Sequence, residues 1–141
     1  MKSISTLLLA LVISAVGFAN KSNANEPPNS PNHSQTVCAE INSTICAHLN
    51  FISSLDTSTE GEFIVHALIP NNIAINNLKV SLWMPSMGHG SSPVDILPLD
   101  ETNYFKISNA WFVMTGDWIV RIEFESNGSV FEINIPVMIE N

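Results

Sequence analysis

The amino-acid sequence predicts an all-β protein, an antiparallel sandwich of about seven short strands, on three observations. Apolar and polar residues alternate with period two in several segments. Those segments recur every 10 to 15 residues between turn formers. No window carries a 3.6-residue apolar stripe with helix caps.

Taken in order, Ile45 to Ile52 is a first short strand, followed by Phe63, Val65, Ala67 and Ile69 alternating around His66. After Pro70-Asn71-Asn72, Leu78, Val80, Leu82 and Met84 alternate with Lys79, Ser81 and Trp83. Val94 to Leu97, Tyr104 to Ile107 and Trp111 to Met114 are shorter candidates, set off by Ser91-Ser92-Pro93 and Ser108-Asn109. The clearest strand puts Trp118, Val120, Ile122 and Phe124 on one face and Arg121, Glu123 and Glu125 on the other. Asn127-Gly128 then makes a hairpin turn, since both residues tolerate positive φ. Phe131, Ile133, Ile135 and Val137 line one face of the last strand. Short strands with one polar face and frequent turn residues point to an immunoglobulin-like arrangement, with a β-barrel of similar strand count as the alternative.

A chain of 141 residues fits one ordinary domain. Its first residues read as an address. Met1-Lys2 supplies a positive start, and an apolar run from Leu7 to Ala19 is too short to span a bilayer, which needs about 20 residues. Small residues then suit cleavage after Ala24 (Ser22-Asn23-Ala24) or after Ala19; an uncleaved anchor is the alternative. The expected organisation is a secretory leader over 1–24, a flexible Pro/Asn/Ser-rich arm over 25–37, and the β domain over 38–141. His33 in the arm is read as solvated. Nothing after the leader approaches a transmembrane length, so the expected location is periplasmic or otherwise extracytoplasmic.

The formal net charge is −8. Without Lys2 and Lys21, only Lys79, Lys106 and Arg121 face the 13 acids, a net −10. Such a surface repels phosphate backbones and anionic lipid, which argues against nucleic-acid and electrostatic membrane binding. No G-x-G-x-x-G and no G-x-x-x-x-G-K-[ST] is present, so no phosphate-cradling loop is expected.

Cys38 and Cys46 are the only cysteines. In an exported chain this pair reads as a structural disulfide, stabilising by about 2.5 kcal/mol on chain-entropy grounds. The alternative, thiols for redox work or soft-metal binding, lacks the C-x-x-C spacing or a second cysteine pair.

One stretch departs from routine strand and turn: Trp83-Met84-Pro85-Ser86-Met87-Gly88-His89-Gly90. Pro85 stops the strand, because it has no N–H for a ladder. Two thioethers, Met84 and Met87, and the His89 imidazole lie within six residues. Thioether sulfur favours Cu(I), and imidazole serves copper in either oxidation state as well as zinc. Met87 and His89 are the leading candidate ligands, Met114 a further sulfur if its segment neighbours the loop. Met84 shares the parity of Val80 and Leu82, so a core role competes with ligation; a gap-filling role likewise competes at Met114. His48 and His66 read as sheet histidines, and Trp83, Trp111 and Trp118 mainly as packing.

Catalytic constellations are poor. Ser91 or Ser92 near His89 and Asp95 offers triad residue types, but there is no G-x-S-x-G, and sequence neighbours rarely form a triad. Asp100-Glu101 reads as a solvated pair rather than an acid–base couple. The expectation is a non-enzyme.

Met84-Pro85-Ser86-Met87-Gly88-His89-Gly90, with Pro93-Val94, Tyr104 and then Phe112-x-Met114-x-Gly116-Asp117-Trp118, resembles the YtkA-like domain family, itself similar to FixH-type proteins. The match covers about residues 45 to 138. It implies an immunoglobulin-like sandwich outside the cytoplasm, with a role in copper handling or oxidase assembly. It directs attention to Met84, Met87, His89 and Met114. The Cys38/Cys46 pair and the Pro-rich arm are departures from the core motif. The expected function is therefore copper binding, Cu(I) first, with a copper-receiving or envelope protein as partner. An extracytoplasmic interaction or assembly module is the alternative.

Overall fold

A computed structural model describes residues 34–140. The expected leader, its cleavage sites and His33 lie outside the described residues. Strands are β1 (Ser34–Ala39), β2 (Asn42–Phe51), β3 (Gly61–Leu68), β4 (Asn76–Met84), β5 (His89–Gly90), β6 (Asp95–Pro98), β7 (Tyr104–Ala110), β8 (Gly116–Ser126) and β9 (Ser129–Ile139). A 3-10 turn at Pro70–Asn72 interrupts the β3–β4 connection. Two antiparallel sheets result, in the orders β1-β2-β3-β7-β6 and β5-β4-β8-β9.

Period-two burial builds each sheet. Along β9, Phe131, Ile133, Ile135, Val137 and Ile139 are buried and every residue between them is exposed. β8 alternates in the same way from Trp118 to Phe124. The inner faces meet in one core, where Trp118, Phe63, Phe112 and Phe124 are the largest fully buried side chains. Burying each large apolar side chain contributes about 1.5–3 kcal/mol. Phe112 and Trp118 pack edge to face with centroids 5.5 Å apart, a geometry favoured by the ring quadrupoles. The β8–β9 hairpin turns at Asn127 (φ 51°) and Gly128 (φ 75°), with Ser126 opposite Ser129. Both φ values are positive, as expected for this dipeptide.

Three local expectations change. Nine strands form where about seven were expected: of the eight candidate segments one is lost, and the edge strands β1 and β5 are added. The arm expected over 25–37 ends earlier, since Ser34 to Val37 pair with Asn50 to Ala47 in β1. The polar sequence there belongs to an edge strand, where little apolar surface needs covering. Finally, Trp111 to Met114 is a loop, not a strand. Only Phe112 is buried, while Trp111, Val113 and Met114 are exposed. The carbonyls of Trp111 and Met114 accept from side-chain donors, Ser91 Oγ and Trp118 Nε1.

Cys38 and Cys46 form a disulfide between register partners on β1 and β2. It lies on the outer face of the five-stranded sheet, beside an irregularity in pairing between Cys38 and Ala39.

Candidate functional site

The unusual segment folds as a tight hairpin at one end of the sandwich. Trp83 pairs with Gly90 and Met84 with His89, leaving Pro85 to Gly88 as the connection. The Met84 carbonyl accepts from the amides of Met87 (3.2 Å) and Gly88 (3.0 Å), and Gly88 takes φ 66°. Gly90 is needed for close approach: a Cβ there would stand 2.8 Å from the Leu82 carbonyl oxygen. The same carbonyl accepts from the Ser91 amide at 3.0 Å. His89 is therefore fixed from both sides by backbone contacts, not carried on a mobile tip.

Its candidate ligands separate by burial. Met87 is 53% exposed and Met114 41% exposed, whereas Met84 is 4% exposed and belongs to the core. His89 is exposed, with Nδ1 3.2 Å from the Gly90 carbonyl oxygen. The Met114 loop adjoins the hairpin through two contacts. Ser91 Oγ donates to the Trp111 carbonyl, and the Met84 methyl packs over Gly116, 3.0 Å from where a Cβ would stand. Trp118 Nε1 donates to the Met114 carbonyl at 2.8 Å and anchors that loop to the core. Thus Met87, His89 and Met114 share one end of the molecule, and Met84 lies beneath them.

Ser91 spends its hydroxyl proton on the Trp111 carbonyl, so its bond goes to the backbone and not to His89. Among the described residues, no three His, Cys, Asp or Glu side chains are grouped to hold a metal ion. Thioether sulfur is a separate class of donor. No helix among the described residues is long and apolar enough to cross a membrane.

A second cluster, which the sequence leaves as scattered sheet residues, lies on the outer face of the five-stranded sheet. Thr36 pairs with His48, His48 with His66, and His66 with Tyr104. Thr36 Oγ1 is 2.7 Å from His48 Nδ1. The His66 and Tyr104 rings stack at 3.8 Å with planes 15° apart. Burial holds His66 below the ordinary imidazole pKa, the His48 charge adds to this, and Glu101 opposes it. The histidines are 18 residues apart in the chain, so only register brings them together; alternation alone could show which face each occupies.

On the outer face of the other sheet, Arg121 stands over the Trp83 ring at 5.5 Å, and Lys79 pairs with Glu123. With Lys106 paired to Glu62 on the five-stranded sheet, all three cations of residues 25–141 are engaged, and the surface is predominantly acidic.

No family model, no curated protein and no solved structure matches this chain.

Proposed function

We propose that the protein is an exported β-sandwich that binds or passes on copper, as Cu(I), through Met87 and His89 with Met114 as a third donor. The observation that carries this reading is the pairing of an exposed thioether with an exposed imidazole on a backbone-fixed hairpin, beside a loop that presents a second thioether. Sulfur and imidazole together suit Cu(I). The burial of Met84 supports a packing role, with its methyl backing the site at Gly116. The Cys38–Cys46 bond accords with an oxidising compartment, and the leader-like residues 1–24 with export.

The strand orders support an immunoglobulin-like reading. β5-β4-β8-β9 runs as the C′-C-F-G sheet of such domains, and β2-β3-β7-β6 as A-B-E-D, with β1 added at the edge. The resemblance to YtkA-like domains rests on the two motifs around the proposed site and points toward the same copper chemistry.

A competition titration with Cu(I) tests the proposal. One-to-one binding in the native protein, lost in Met87→Ala/His89→Ala, supports it; equal affinity in the two proteins overturns it.

A second reading is favoured by one observation: Met87, Trp111, Val113 and Met114 all expose apolar surface at this end of the molecule. Exposed apolar patches mark interaction sites, so the end would dock a protein partner in an assembly role. Capture of a stoichiometric envelope partner, unaffected by chelators and lost in Trp111→Ser/Val113→Ser, would favour this reading over copper.

A further inference from the structure

The row Thr36, His48, His66 and Tyr104 crosses four adjacent strands on a single face. Directly opposed residues on antiparallel strands hold their Cβ atoms about 5 Å apart, so the His48 and His66 imidazoles rise side by side from a rigid sheet. The opposite face beneath them is sealed by Ala47, Leu49, Val65 and Ala67, each fully buried. The core does not need either histidine, since both lie on the outer face and are only half-buried.

Two contacts prepare these rings as ligands. An imidazole that gives its Nδ1–H to an oxygen keeps the Nε2 lone pair for a metal, and such partners orient metal-bound histidines generally. Thr36 Oγ1, 2.7 Å from His48 Nδ1, is placed to be that partner. Tyr104 supports His66 through the face of its ring, and the ring nitrogens lie in the plane, clear of the stack. The Cys38–Cys46 bond, two residues along the same pair of strands, keeps Thr36 opposite His48.

We infer that His48 and His66 form a metal site separate from the hairpin, a two-imidazole clip for a divalent first-row transition ion with water completing its coordination. Nitrogen donors without sulfur suit the divalent ions, and Cu(II) binds most tightly in that series. The site uses none of the residues of the hairpin and stands whether or not the hairpin binds Cu(I).

Titrating the purified protein with Cu(II) against a competing chelator, with electron paramagnetic resonance as the second readout, tests this. The expected result is one Cu(II) with nitrogen splitting from two imidazoles. His48→Gln and His66→Gln should each weaken binding at least ten-fold, and Met87→Ala/His89→Ala should leave it unchanged. Thr36→Val should weaken binding about ten-fold with the ligand set unchanged. Unchanged affinity in both histidine variants, as binding through His33 or the amino terminus would give, overturns the inference. So does loss confined to the Met87→Ala/His89→Ala variant. Should a histidine variant fail to fold, paramagnetic broadening in the native protein decides: His48 and His66 signals must vanish before those of His89, and the reverse order overturns the site.

Discussion

The carboxamide of Asn103 holds two points of a distant segment at once. Its Nδ2 donates to the Ile73 carbonyl at 2.8 Å and its Oδ1 accepts from the Ile75 amide at 2.9 Å. Its own carbonyl accepts from the Ala67 amide at 3.0 Å, and its φ is 66°. One buried side chain thereby joins the β3–β4 connection to the turn before β7. Asparagine suits the position because it tolerates the left-handed region better than other side-chain-bearing residues.

Asn103→Ala should lower unfolding stability by about 3 kcal/mol, measured by urea denaturation, because it leaves the buried Ile75 amide without its acceptor. Asn103→Gly relieves the backbone conformation but not the lost bonds, so it should recover only a minor part. Full recovery in Asn103→Gly would assign the effect to backbone conformation alone.

Gly90→Ala places a methyl group against the Leu82 carbonyl, 2.8 Å away. Backbone cannot yield as a flexible side chain can, so the β4–β5 pairing should open at a cost of about 1–3 kcal/mol. Amide exchange at Ser91, which donates to that carbonyl, should accelerate, and on the proposed copper reading Cu(I) affinity should fall with Met87 and His89 untouched. Native exchange at Ser91 in the variant would show that the hairpin accommodates the methyl.

Asp56 shows how a half-buried carboxylate in a turn is tuned. The Ser58 and Thr59 amides and hydroxyls all donate to it, at 2.7 to 2.9 Å. These bonds, the Ser58 amide foremost, lower its pKa from 3.8 to about 2. Because the folded value is depressed, the stabilisation is fully present above pH 3.8 and is lost as pH falls through about 2. A carbon-detected titration should give a midpoint near 2 that rises in Ser58→Ala/Thr59→Ala. A midpoint near 3.8 in the native protein would mean that the turn does not hold these donors in solution.

What was legible in the sequence follows from where burial imposes a period. β4, β8 and β9 each bury one face along most of their length, so a shift of one residue would expose a whole apolar set; their alternation could be read directly. β1 buries only Ala39 and carries polar residues at an edge, so its composition resembles a linker. Trp111 to Met114 misleads in the opposite sense, being apolar in composition while Phe112 alone enters the core. Pro85 marked the end of β4, but the reason for Gly90, contact with a carbonyl eight residues earlier, depends on pairing. Asn103 and the His48–His66 row depend wholly on partners remote in the chain, and no local pattern encodes them.

The ends of the two sheets carry a consequence for how copies of the chain meet. A free strand edge is a template on which an identical molecule can polymerise. Here β5 has two residues, and β6 has four and finishes at Pro98. β9 is long but includes Pro136, whose nitrogen offers no proton, and it turns Glu132 outward. β1 is broken in register beside its disulfide. Among the described residues every border thus interrupts templated growth, so crowding at high concentration should leave the molecules discrete instead of drawing them into fibrils.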